Sequence, residues 1–156
     1  MITIEVPGHG SFEFEHLVSD YTGTLSVDGR LLPGVKDLLV ELSRQVKVHF
    51  VTSDTFGTAR EELAGIDCVL RIIDGEEHDA QKEAYVQGLG PDRVVALGNG
   101  NNDSRMLRLA KLGIAVVQGE GCATAAILAS DIVVNSAKDG LGLLINPKRT
   151  KATLRI

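Results

Sequence analysis

The chain has no tryptophan, and only four phenylalanines and two tyrosines stand among its 156 residues. A core so poor in rings must come from Val, Leu, Ile and Ala, which suits a parallel sheet covered by helices better than an antiparallel sandwich. There are two cysteines, Cys68 and Cys122, with neither a CxxC pair nor a His at ligand spacing. That excludes a disulfide framework or a zinc site and predicts inert core thiols. No apolar run approaches the roughly 18 residues that a membrane span needs, and the opening MITIEVPGHGSFEFEH carries acids where a leader peptide has its apolar stretch. The expected compartment is the cytoplasm, with no membrane partner. Basic residues are not in excess either: the net charge is −5, which argues against nucleic acid as a partner.

What is present is an ordinary balance of 44% hydrophobic and 24% charged residues. At this length the chain fits one core, so residues 1–156 are expected to form one domain. Ile2 to Val6 and Ser11 to Phe14 alternate around Pro7-Gly8-His9-Gly10 and read as a small N-terminal hairpin. His16 to Ser19 is a short buried strand ending at Asp20. Asp28-Gly29, between Leu25-Ser26-Val27 and Leu31-Leu32, predicts a tight hairpin. Pro33-Gly34 opens a helix with apolar residues at 35, 38, 39 and 42. Further strands are expected at 46–51, 68–73, 93–97, 113–117 and 131–134. Helices are expected at 58–64, 76–89, 104–112 and 122–129, with one more helix to finish. Strands alternating with helices imply an α/β fold with a mostly parallel sheet, right-handed crossovers and helices on both faces.

In such a sheet, ligands bind beyond the carboxyl ends of the strands. Three of these strands run into polar or Gly-rich clusters, at Asp20, at Thr52-Ser53-Asp54 and at Gly98 to Asp103, and Lys82 lies on an intervening helix. Two carboxylates, a hydroxyl and an ammonium around one crevice meet the needs of phosphoryl transfer: a nucleophile, a divalent metal, and donors for the equatorial oxygens.

Asp20-Tyr21-Thr22-Gly23-Thr24-Leu25 resembles the DxxGT first motif of the haloacid dehalogenase-like (HAD) superfamily, and more narrowly the DKTGT phosphorylation site of P-type ATPases. Val51-Thr52-Ser53-Asp54 with Thr58-Ala59 resembles the ATPase LTGD…TA segment. Lys82 with Val86 and Leu89 is similar to the lysine motif, and Gly98 to Asp103 with Leu112 to Ala115 resembles GDGxND…VGIA. The four occur in family order from residue 20 to 115. The resemblance implies a three-layer Rossmann-like fold and a Mg²⁺-dependent phosphatase or phosphotransferase. Asp20 would be the nucleophile, and Asp20 with the Thr22 carbonyl would hold Mg²⁺, joined by Asn99 and Asp103. Gly23, Thr52, Ser53 and Lys82 would hold the phosphoryl group of a phosphorylated substrate.

Two positions depart from the family pattern. Thr22 stands where family phosphatases carry a second Asp as general acid and base, an assistance worth about 10²–10⁴-fold. Asn99 stands where the pattern has a metal-ligating Asp, and an uncharged amide should weaken Mg²⁺ binding. Turnover is therefore expected to be slow, and a regulatory module that binds phosphate and Mg²⁺ with impaired turnover is the alternative. Neither the Asp20–Thr52 nor the Thr52–Lys82 gap has room for a cap domain or a nucleotide-binding domain, so ion pumping is excluded. An open cleft of this kind is consistent with a homo-oligomer whose neighbouring subunit serves as lid.

The same residues have simpler readings. Asp20 and Asp103 can cap turns, Thr52 can cap the next helix, and Lys82 can be a solvated helix lysine. His9, His16, His49 and His78 share no ligand spacing and read as surface or strand-edge residues. Lys148, Arg149, Lys151 and Arg155 read as a solvated basic end or a subunit contact.

Overall fold

The computed structural model describes residues 1–156. Strands β1 (Ile2–Val6) and β2 (Gly10–Phe14) form the expected antiparallel hairpin, with Ile2, Ile4, Val6, Phe12 and Phe14 buried on one face. Then come β3 (His16–Ser19), the short hairpin β4 (Ser26–Val27) and β5 (Arg30–Leu31), and helix α1 (Val35–Ser43). The β4–β5 turn has φ 52° at Asp28 and 76° at Gly29, the left-handed pair that an Asp-Gly hairpin adopts with least strain. This two-by-two-residue hairpin occupies the space between β3 and α1, and no cap domain is inserted there.

The remaining elements are β6 (Lys47–Thr52), α2 (Ala59–Glu62), β7 (Cys68–Ile72), α3 (His78–Leu89), β8 (Val94–Gly98), α4 (Ser104–Leu109), β9 (Leu112–Val116), α5 (Thr124–Ala129), β10 (Ile132–Val134), α6 (Ala137–Ile145) and α7 (Pro147–Leu154). Two helices end the chain where one was expected. Pro147 has no N–H to continue α6 and instead starts α7 from its first position.

The main sheet has the order β10-β9-β8-β3-β6-β7, and every neighbouring pair in it is parallel. Alternation along the strands divides the core into two layers. Leu17, Val48, Phe50, Val95, Leu97 and Ile114 face α1, α6 and the N-terminal hairpin. Val18, Val51, Val94 and Ala96 face the layer of α3, α4 and α5, where Val86, Met106 and Ala126 meet them. β3 lies inside the sheet between β8 and β6, so its carboxyl end, and Asp20 with it, opens at the middle of the sheet edge. No helix is long and apolar enough to cross a membrane.

His49 is not a surface residue. It is 2% exposed within β6, where its Nε2 lies 3.1 Å from His16 Nδ1 and its Nδ1 lies 2.9 Å from the Tyr85 hydroxyl. The period-2 pattern puts it on the α3-facing side, and this small polar chain satisfies both ring nitrogens. Cys68 and Cys122 are half-buried free thiols rather than core residues. Burial, with help from the charges of His16 and Lys47, pulls the His49 imidazole down to about 4. An unfolded histidine titrates near 6.5, so between these values the unfolded chain binds more protons and stability is lost as the pH falls. Urea titrations should show wild type losing on the order of 2 kcal/mol more than His49→Gln between about pH 7 and about pH 5. Asp20, raised to about 6, acts in the opposite sense in both proteins, so the difference between them isolates His49. Parallel curves would sink this assignment.

Candidate active site

β3 delivers Asp20 to the sheet edge as a buried carboxylate, 6% exposed, and its backbone N–H donates to the Leu97 carbonyl of β8 at 3.0 Å. Ser19 donates its hydroxyl to the Asp20 carbonyl at 2.6 Å, which fixes the turn that follows. Gly23 takes φ 78° there, and a Cβ on it would come within 2.5 Å of the Asn99 amide nitrogen. Only glycine combines that backbone with that close approach.

Lys82, 1% exposed on α3, is not a solvated helix lysine. Its Nζ donates to Asp20 Oδ1 at 2.9 Å and to Asp103 Oδ1 at 2.7 Å. Burial works against the ammonium, but the charges of Asp20 and then Asp103 outweigh it and raise its pKa. For Asp20 the balance falls the other way. Burial, reinforced by the nearby Asp103 charge, pushes its carboxyl up to about 6 although Lys82 pulls it down. Two carboxylates thus share one cation in a dry site.

Asp103, expected to complete or support the metal site, engages both of its carboxylate oxygens within the chain. It is fully buried, with Oδ1 on Lys82 and Oδ2 accepting the Asn99 and Gly100 N–H groups at 2.9 Å each. Both oxygens are committed to holding the ammonium and the 98–103 loop. Asn99 accepts the Thr24 hydroxyl on Oδ1 at 2.9 Å and donates Nδ2 to the Gly121 carbonyl at 3.1 Å. Thr52 is fully buried at the end of β6, and its Oγ1 accepts the Asp54 N–H at 3.0 Å, which leaves its own proton free to donate. It does not cap α2. Asp54, at φ 51°, does so by accepting the Thr58 and Ala59 N–H groups at 3.1 Å each. Ser53 is half-buried beside Thr52 and forms no side-chain hydrogen bond.

Sequence reasoning missed Thr24, Asp54 and Gln118. Thr24 is fully buried and also lies 3.4 Å from Asp20 Oδ2, and Gln118 ties the Thr24 carbonyl at 2.6 Å to the Ala137 N–H at 2.9 Å. The last position of DxxGT was a signal for Thr24; Gln118 carried none.

Apart from the Lys82 ammonium, which has no lone pair for a metal, the groups around Asp20 that could ligate a cation offer oxygen. Asp20 Oδ2 has only the long Thr24 contact, and the Thr22 hydroxyl is buried without a partner. No group of three His, Cys, Asp or Glu side chains is arranged to hold a metal ion by itself. Such a set does not suit zinc. It does suit a hard cation such as Mg²⁺, which binds through one or two carboxylates and keeps several waters.

A profile of haloacid dehalogenase-like hydrolases matches residues 80–145. A protein of unassigned function from Methanocaldococcus jannaschii is 42% identical over 90 residues, 53% of this chain and 97% of that one. A probable copper-transporting ATPase of Arabidopsis thaliana is 33% identical over 144 residues, and a copper-exporting P-type ATPase of Staphylococcus aureus is 31% identical over 170. Over residues 80–145 the chain is similar to haloacid dehalogenase-like hydrolases, and over most of its length to these ATPases. It spans only 14% and 20% of those two ATPases, while they cover 88% and 97% of it. The HAD fold is shared with the cobalt-bound deoxy-D-mannose-octulosonate 8-phosphate phosphatase of Haemophilus influenzae, with a TM-score of 0.70, 12% identity and coverage of 92% and 94%. It is shared too with the Moraxella catarrhalis 3-deoxy-D-manno-octulosonate 8-phosphate phosphatase in complex with magnesium, phosphate and KDO, with a TM-score of 0.65, 17% identity and coverage of 89% and 90%.

Proposed function

We propose that this protein transfers a phosphoryl group from a phosphorylated substrate to Asp20 and releases it slowly to water. The observation that carries this reading is the buried Asp20–Lys82–Asp103 cluster at the carboxyl end of a central strand. Asp20 Oδ2, the less engaged oxygen, attacks phosphorus, and the leaving oxygen departs with its electron pair and takes a proton from solvent. Lys82 and the free proton of the Thr52 hydroxyl hold the phosphoryl oxygens, and the Gly23 backbone and Ser53 line their approach. Mg²⁺, for which the Moraxella phosphatase's magnesium and the Haemophilus enzyme's cobalt are a precedent, would rest on Asp20, the Thr22 carbonyl and Asn99, and would supply charge neutralisation at the phosphoryl oxygens. Asp103 acts through Lys82 and the loop.

Release is the weak step. Hydrolysis of the acyl phosphate needs a base for the incoming water, and Thr22 offers only a hydroxyl that does not ionise near neutral pH. The aspartyl-phosphate should therefore accumulate. Acid quenching after incubation with Mg²⁺ and an aryl or acyl phosphate should leave one phosphoryl group on the peptide containing Asp20, detected by mass spectrometry and removed by hydroxylamine. If hydrolysis proceeds and no such adduct is trapped on any time scale, accumulation at Asp20 is ruled out. Absence of both hydrolysis and adduct would refute the reading itself.

A further inference from the structure

β7 is the last strand of the six-stranded sheet, and only its β6 side is paired. The opposite edge runs over Cys68–Ile72 with no proline and no glycine, and Val69 and Ile72 on it are 37% and 40% exposed. An exposed apolar strand edge is a template for another strand, and proteins that stay monomeric blunt it with lysine, proline or a bulge. The other end of the sheet, β10, is only three residues long and offers less.

The backbone phase along β7 is set by Ile73, whose N–H donates to Thr52 O in β6 at 2.9 Å. Alternation then turns residues 69 and 71 toward β6 as well, and leaves the N–H and C=O groups of Cys68, Leu70 and Ile72 pointing outward. An incoming strand must meet those three residues. Asp67 and Arg71 are both exposed, and neither forms an ion pair within the chain.

We infer that β7 pairs antiparallel with β7 of a second copy of this chain across a two-fold axis at Val69. In this register Cys68 and Leu70 of one copy exchange both backbone hydrogen bonds with Leu70 and Cys68 of the other, which uses the outward groups. Asp67 of each copy stands opposite Arg71 of the other, on the same face as the Val69 pair. Opposite charges across antiparallel strands stabilise the pair and like charges oppose it. Registers centred on Leu70 or Arg71 set Arg71 against Val69 or against itself, so the charge pattern selects the Val69 axis. The closed two-fold arrangement also hides both edges, so growth stops at two copies.

Sedimentation equilibrium on the full chain tests this. Wild type should sediment at twice its 16.6 kDa. Arg71→Glu, which sets Glu against Asp67 twice, should halve that mass, and Asp67→Arg combined with Arg71→Glu should restore it. Both sites are exposed, so circular dichroism of the variants should match wild type. A wild type that stays monomeric at every concentration overturns the inference, leaving the edge free for some other strand. So does a dimer that survives Arg71→Glu, or a double variant that stays monomeric.

Discussion

Asp20→Asn should lower the turnover of an activated aryl phosphate by about 10⁴-fold or more, the scale seen when a nucleophile is removed from an otherwise intact site. The amide keeps the shape of the carboxylate but cannot form the acyl phosphate. Its fold should not suffer. In wild type the Asp20 charge is opposed by burial and by the Asp103 carboxylate, which together push its pKa up to about 6. Lys82 keeps Asp103 as partner when Asp20 is neutralised. The melting temperature of Asp20→Asn should thus equal or exceed that of wild type, which separates lost chemistry from lost structure. A variant that hydrolyses as fast as wild type would remove Asp20 from the reaction.

Lys82→Met should have the opposite signature, losing stability as well as activity. The ammonium is 1% exposed and is the cation that two buried carboxylates share. Removing one partner of a buried ion pair costs about 3–5 kcal/mol, because the remaining charge has no compensation. For a chain of this size that is a drop on the order of 10 °C in melting temperature. The deficit should shrink as the pH falls from neutral toward about 6, because Lys82 pulls the Asp20 pKa down and without it Asp20 takes up its proton at a higher pH than in wild type. Differential scanning calorimetry of both proteins across that range provides the check. An equal deficit at neutral and acidic pH would mean that lost packing, and not unbalanced charge, sets it.

These two results also divide the roles inside one cluster. Asp20 is held at a cost to stability and Lys82 holds the cluster together, an arrangement common where a site stores reactivity that the fold must support. Asp103 belongs with Lys82. It fixes the ammonium with one oxygen and the backbone of Asn99 and Gly100 with the other.

Much of this was legible in the residues alone. Short apolar runs ending in Asp20, Thr52 and Gly98 announced a parallel sheet with its site at the strand ends, because such runs can be buried on both faces only between helix layers. Asp28-Gly29 announced its turn, since few other pairs reach that backbone without strain. The order of four motifs singled out Asp20 and Lys82, two residues that the fold brings into contact. Tertiary structure decided what depends on neighbours distant in sequence. Whether Asp103 offers an oxygen to a metal depends on Lys82, 21 residues away, and on the 98–103 loop. Asn99 is held by Thr24, 75 residues away, and by Gly121. His49 looked like a strand-edge residue and is buried, because only the sheet order puts it beside His16 and Tyr85. The exposed edge of β7 likewise follows from strand order. Local pattern determines which residues are apolar, turning or charged; which of them meet is set by the crossovers, and a hydrogen bond between distant residues leaves no periodic trace in the chain.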